Sequence, residues 1–201
     1  MKSAVIVGKT SEIGQGLGER LKRDDWEILY KHYDEWHINP HWDLLVVCSG
    51  TLEPIGWFAS VYMEDWIASV EVNGLIPLNV LHHCYAQQRP NASVCFFGGP
   101  NLAKSSPSYS AYRAGKVLLT EMVAVLNEET DLNVFMINPG VVKTKIHNQT
   151  LAAGARAANY ERVKAMMDGN ERTTTHDEIY QCLKWCIENK VKRVVHIDET
   201  R

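Results

Sequence analysis

No stretch of this 201-residue chain approaches the roughly 20 consecutive apolar residues of a membrane-spanning helix, so no membrane association is expected. Charge of one sign is also scarce. The 21 lysines and arginines stand against 24 acids, a formal net charge of −3 that gives no electrostatic reason to expect nucleic acid or an anionic membrane as partner. Cys-x-x-Cys spacing is missing. The five cysteines are scattered, Cys48 and Cys95 in apolar runs and Cys182 and Cys186 one helical turn apart, a usage expected of reduced thiols in a cytoplasmic protein. Met1 leads almost directly into an apolar run, without a charged segment and an apolar core before it, so secretion is not expected. Low-complexity linkers and internal repeats are lacking too. At this length, with 45% hydrophobic content, one α/β domain with a full core over 1–201 is the natural expectation.

Short apolar runs closed by glycine alternate with longer amphipathic ones. Strands are expected at 3–8, 26–31, 43–49, 92–98, 132–138 and 193–198, and helices at 13–24, 64–88, 110–129 and 177–189. That alternation argues for a doubly wound parallel sheet covered by helices on both faces. Residues 32–43 leave room for only a short strand and a turn. His32, His37 and His41 have a metal-like spacing, but no cysteine or carboxylate completes a set, and no metal is expected.

Tyr112 and Lys116 stand four residues apart on an expected helix and therefore share a face. An ammonium beside a phenol typically lowers its pKa by about 1–3 units from about 10, giving a general acid or base usable near neutrality. The pair has company. Ser3–Gly8 is an apolar run opening into Gly8-Lys-Thr-Ser-Glu-Ile-Gly14-Gln-Gly16; Leu44–Gly50 ends in Cys48-Ser49-Gly50. Trp66 and Val72-Asn73 follow on a helix, Val94–Gly99 is another run ending in glycine, and Pro139-Gly140-Val141-Val142-Lys143-Thr144 comes after the Tyr/Lys helix.

In order and spacing these motifs resemble the short-chain dehydrogenase/reductase family over nearly the whole chain. The resemblance implies a Rossmann-type fold, shortened between its second and fourth strands, in a single dinucleotide-binding oxidoreductase domain. It also implies reduction of a small-molecule carbonyl or oxidation of an alcohol, a mobile substrate lid over 145–170, and a homodimer or homotetramer built through the helices at 64–88 and 110–129. A pyrophosphate needs backbone N–H donors at a helix N-terminus in a turn free of side chains, which Gly8, Gly14 and Gly16 supply. The resemblance adds Lys9, Thr10, Ser11 and Ile13 to that cradle. Glu12 departs from the family, which has glycine there; its carboxylate is expected to repel the pyrophosphate unless it turns to solvent or caps the helix. Lys9 and Lys31, with no acid at the end of the second strand, favour NADP(H) over NAD(H). Cys48, Ser49 and Gly50 take the place of the family's Asn-Ala-Gly turn against the cofactor. Pro139, Gly140, Val142 and Thr144 match the segment that touches the nicotinamide carboxamide.

For catalysis the resemblance makes Tyr112 the proton donor or acceptor, Lys116 the group that lowers its pKa and bonds the nicotinamide ribose, and Asn73 the holder of a proton-relay water. The family's carbonyl-orienting serine falls on Gly99, which has no hydroxyl, and loss of such a donor typically costs about 10²–10³ in turnover. Ser105, Ser106 and Ser108, or a backbone N–H of Gly98 or Gly99, are the candidate substitutes. Trp57, Phe58, Tyr62, Met63 and Trp66 are expected to pack the core and pocket wall, and Met166 and Met167 to line a pocket. Glu12 and Gly99 leave a second reading open, a nucleotide-binding or scaffold protein that kept the fold and lost turnover.

Overall fold

The computed structural model describes residues 1–35, 41–99 and 106–200. Its strands are β1 (Ser3–Val7), β2 (Glu27–Lys31), β3 (Trp42–Val47), β4 (Gln88–Phe97), β5 (Asn133–Asn138) and β6 (Val194–His196). All pair in parallel, in one sheet of order β2-β1-β3-β4-β5-β6. Parallel strands are buried on both faces, which is why these segments read as nearly continuous apolar runs. Alternate residues serve two cores. Ile6, Val46, Cys95 and Ile137 pack beneath α1 (Glu12–Arg23) and α7 (His176–Glu188). Val5, Leu45, Phe96 and Met136 pack on the other face, with Leu119 and Val123 of α4 (Ser110–Glu129). The first connection winds to one side of β1 and the next to the other, so the crevice for a ligand opens at the carboxyl ends of β1 and β3.

The short strand expected within 32–43 is not among the described residues. Tyr33 and Asp34 form a turn, and 36–40 lie outside the described segment. The helix expected as one piece over 64–88 is instead two, α2 (Met63–Val70) and α3 (Ile76–Cys84), joined by a π turn over Glu71–Leu75. Pro77 explains the change. It has no N–H, so the regular donor to the Asn73 carbonyl four residues back is missing and the ladder widens. Two short helices, α5 (His147–Ala153) and α6 (Tyr160–Met167), occupy the segment after β5. No helix among the described residues is long and apolar enough to cross a membrane.

The wall formed by α2 differs from expectation. Trp66 does pack inward, its Nε1 donating to Ser110 Oγ at 3.0 Å. Trp57, Phe58, Tyr62 and Met63 face solvent instead, with Tyr62 78% exposed; within α2 it is Trp66 and Ser69 that turn inward. That side of the helix continues into a crossing without side chains, where Gly74 meets Gly115. A Cβ on Gly74 would lie 2.9 Å from the Gly115 carbonyl oxygen, and one on Gly115 would lie 2.7 Å from Asn73 Cβ. Gly115→Ala should therefore destabilise the fold by about 1–3 kcal/mol through overpacking. Thermal or urea unfolding of the variant reads this directly, and a midpoint equal to the parent's would show that the crossing adjusts.

Candidate active site

The first wall of the crevice is the turn that leaves β1. Gly8 adopts φ +105°, and a Cβ there would sit 3.2 Å from the Cys48 carbonyl carbon, so glycine alone fits without strain. The N–H groups of Gly8 and Lys9 donate to the Lys31 carbonyl at 2.9 and 3.2 Å, tying the turn to the end of β2. Ser11 caps α1, its Oγ accepting from the Gly14 N–H at 3.3 Å. The amides of Glu12 and Ile13 at the start of this helix are the unsatisfied donors that a helix N-terminus offers an anion. Gly14 itself is buried below the turn, against Ile6.

A cavity of 610 Å³ opens beside this turn. Gly8, Thr10, Ser11 and Ile13 line it from one side and Cys48, Ser49 and Gly50 from the end of β3. Pro139, Gly140, Val142 and Thr144 close it from the end of β5, and Tyr112 and Lys116 reach it from α4. Lys9, Lys31 and Asn73 stand outside this lining. The glycine cradle, the helix terminus and a buried Ser49 Oγ with no partner among the described residues together fit an elongated phosphate-bearing ligand.

Two charged residues depart from expectation. Lys9 is not a free cation, since its Nζ pairs with Glu35 Oε1 at 2.9 Å, and Lys9, with the His32 N–H and to a lesser degree Lys31, holds the Glu35 carboxyl below its usual range. An acid does stand at the end of β2, delivered by the turn after it rather than by the strand. His32 pairs with Asp34 in the same turn. Glu12 is half-buried and does not cap its helix, which Ser11 does. Its Oε2 accepts the Lys145 N–H at 2.5 Å, across the cavity from α1.

Tyr112 and Lys116 share one face of α4, but their electrostatics are set by burial rather than by each other. Lys116 is 5% exposed, and its Nζ donates to the Phe97 carbonyl at 2.9 Å, 5.9 Å from the Tyr112 ring centre. Burial pulls the ammonium down to about 8 and pushes the phenol up to about 12, opposite to the lowering expected of Tyr112. Asn73 is fully buried behind Gly50. Its Nδ2 donates to the carbonyls of Thr51 at 2.8 Å and Ser69 at 2.9 Å, and its Oδ1 accepts from the Thr51 N–H at 3.2 Å. The side chain thus fixes the loop after β3.

At Gly99, a Cβ would lie 2.8 Å from the Tyr112 hydroxyl oxygen. The phenol occupies the space of the absent side chain, so a serine there would displace Tyr112 rather than assist it. Of the substitute serines, Ser106 lines the cavity, Ser108 is buried and accepts the Ala158 N–H at 3.3 Å, and Ser105 lies outside the described residues. Met166 lines the cavity as expected, whereas Met167 does not.

Several cavity residues carry no motif. Tyr109 OH is bonded to Thr150 Oγ1 at 3.0 Å and to Asn159. Gln149 Oε1 accepts the Leu52 N–H at 2.7 Å. His147 gives one ring nitrogen to the Val142 carbonyl at 3.1 Å, and burial lowers its pKa. Tyr109 adjoins the Tyr/Lys motif and could have been suspected; the others are fixed only by tertiary contact. Among the described residues no three His, Cys, Asp or Glu side chains form a metal-holding group, and His37 lies outside those residues.

A family model for short chain dehydrogenases matches residues 29–154. No curated protein matches the chain. A small-chain dehydrogenase solved in complex with NADPH is 17% identical, with a TM-score of 0.83 over 99% of this chain and 97% of its own. The ligand-free aldohexose dehydrogenase of Thermoplasma acidophilum is 14% identical, with a TM-score of 0.82 over 97% and 91%. An oxidoreductase of the short chain dehydrogenase/reductase family from Burkholderia thailandensis is 17% identical, with a TM-score of 0.74 over 98% and 90%. At these identities the likeness to the solved structures is one of fold.

The depressed Lys116 titration has a measurable sign. Between about 8 and the ordinary lysine value of about 10.4, the unfolded chain holds a proton that the folded chain has released, so stability from this group rises with pH. Cys48 and Tyr112, both pushed up to about 12, act in the opposite sense above their ordinary values, so the effect is read as a difference. The unfolding free energy of the parent minus that of Lys116→Met should climb across this window and be level below it. A flat difference would mean that Lys116 titrates as a solvated lysine.

Proposed function

Because the chain belongs to the short-chain dehydrogenase family, we propose that its cavity carries out a nicotinamide-dependent carbonyl reduction in which Tyr112 delivers the proton. The observation that carries this reading is the placement of half-buried Tyr112 and buried Lys116 on one face of α4, both lining the cavity that the glycine turn opens into. Bound NADP(H) would supply the hydride. The amides at the start of α1 would hold its pyrophosphate, Ser49 and Thr144 would bond its polar edges, and Lys116 would turn from the Phe97 carbonyl toward the ribose. A phenol held protonated by burial suits a donor, which favours reduction over alcohol oxidation as the direction of use. Asn73 fixes Thr51 and would hold the proton-relay water.

The cofactor proposed is NADP(H). The Lys9–Glu35 pair is half exposed and therefore screened by water and salt, so a dianionic 2′-phosphate can take Lys9 from the carboxylate, with Lys31 adding to the attraction. Residues 145–170, with α5 and α6, act as the substrate lid. Ile67 and Leu75 join the exposed aromatics on the outer flank of α2 and the π turn, and Val117 and Val125 lie on α4; these exposed apolar side chains support a homodimer or homotetramer through these helices. Five free cysteines suit a cytoplasmic protein.

Tyr112→Phe should lower turnover on a carbonyl panel by about 10²–10⁴ while leaving cofactor affinity nearly intact, since only the proton donor is removed. Reduction at the parent rate by this variant would rule out the assignment. For the cofactor, nicotinamide fluorescence titration should show NADPH binding more tightly than NADH. Glu35→Gln should widen the gap, and Lys9→Ala with Lys31→Ala should close it; equal affinities in the parent would refute the preference.

A further inference from the structure

We infer that Glu12 is a positioning residue, whose carboxylate clasps the lid to the cofactor cradle and so sets how fast the dinucleotide enters and leaves. The inference rests on the nucleotide-binding reading above. Glu12 occupies the first turn of α1, beside the amides proposed to hold the pyrophosphate, and Lys145 begins the path from Thr144 into α5. Both line the cavity, and the 2.5 Å bond from the Lys145 N–H to Glu12 Oε2 joins them at its solvent-exposed edge.

The rest of the lid is fastened elsewhere. Tyr109 holds Thr150 and Asn159, Gln149 holds the Leu52 amide, and Ser108 takes the Ala158 N–H, all on the side where Tyr112 enters the cavity. Glu12 secures the other end, the root of the lid next to the phosphate site. A phosphate settling at the start of α1 would lie beside this bond, so opening of the bond widens the cleft there. The carboxylate also acts on the bound ligand. Placed beside a dianionic pyrophosphate it raises the cost of binding, so the same group that closes the cleft weakens the hold on its contents. A charge-assisted bond to a backbone amide is among the stronger hydrogen bonds, and its loss is worth roughly a tenfold change in local opening. The result is a cleft that shuts yet releases product cofactor readily.

Two variants separate the bond from the charge. Glu12→Gly removes both, and Glu12→Gln keeps an oxygen acceptor without the charge. Hydrogen–deuterium exchange over 145–153, measured without cofactor, reports the clasp, and stopped-flow NADPH fluorescence reports association and release. Glu12→Gly should exchange about tenfold faster at Lys145 and the residues after it, and should bind and release NADPH faster. Glu12→Gln, which keeps the acceptor but loses the charge assistance, should exchange between the parent and Glu12→Gly and release NADPH more slowly than Glu12→Gly. Parent-like exchange and release in Glu12→Gly would overturn the inference. So would a Glu12→Gln protein that follows Glu12→Gly in both measurements, since the effect would then come from charge at the helix terminus rather than from the bond. A parent protein that binds no NADPH overturns the nucleotide reading and with it the control of release. That failure is recognisable, because the exchange experiment still reports the Glu12–Lys145 bond.

Discussion

The crossing of Gly74 over Gly115 is the contact on which the geometry of the site depends. With no side chain on either helix at that point, the backbone of the π turn rests directly on α4, and a single Cβ would collide with the neighbouring backbone or with Asn73. Close approach buries Asn73, and burial obliges its amide to find partners, which it does in Thr51 and Ser69. Thr51 and Leu52 in turn bond Gln149 of α5. A packing event between two glycines is thereby passed, bond by bond, to the loop beyond β3 and then to the segment covering the cavity. Lys116 lies one residue beyond Gly115, so the same crossing sets how deeply its ammonium is withdrawn from water.

Burial then does the electrostatic work. Lys116 and Tyr112 are near neighbours, yet the dominant influence on each is the loss of water, which favours the uncharged form of both. The Phe97 carbonyl holds the ammonium with a dipole rather than a charge, leaving the lysine able to change partner. Around the rim the pattern reverses. Lys9, Glu35, His32 and Asp34 are solvated and paired with one another, so that end of the crevice is governed by exchangeable ion pairs.

How much of this could be read in advance depended on the distance over which each feature is determined. The glycine turn, the strands and α4 follow from local chemistry, namely a positive φ at Gly8, apolar runs buried on both faces, and a helix found over the expected 110–129. The family too was legible, because its motifs occur in sequence order. The break in the helix over 64–88 was legible only in Pro77, which removes one donor from an otherwise continuous helical stretch. What escaped was tertiary. Glu35 reaches Lys9 across 26 positions and Glu12 reaches Lys145 across 133, and no periodicity announces either contact. The direction of the Tyr112 shift escaped for the same reason, since the neighbouring lysine is visible in sequence and the exclusion of water is not. Trp57, Phe58, Tyr62 and Met63 misled because large apolar side chains suit an interior and an exposed flank equally well.

Cys48 gives this arrangement a chemical resilience. It lines the cavity, where carbonyl compounds are proposed to pass, and many such compounds are electrophiles that alkylate thiolates. Burial raises its thiol from 9.0 to about 12, which cuts the thiolate present at neutral pH by about a thousandfold. Asparagine, the residue of the resembled turn at this position, offers nothing to alkylate; cysteine at the same place is a weak nucleophile while its thiol stays protonated. Gly8 lies close against the Cys48 backbone and Cβ, so a side chain at position 8 would shift the thiol that lines the cavity.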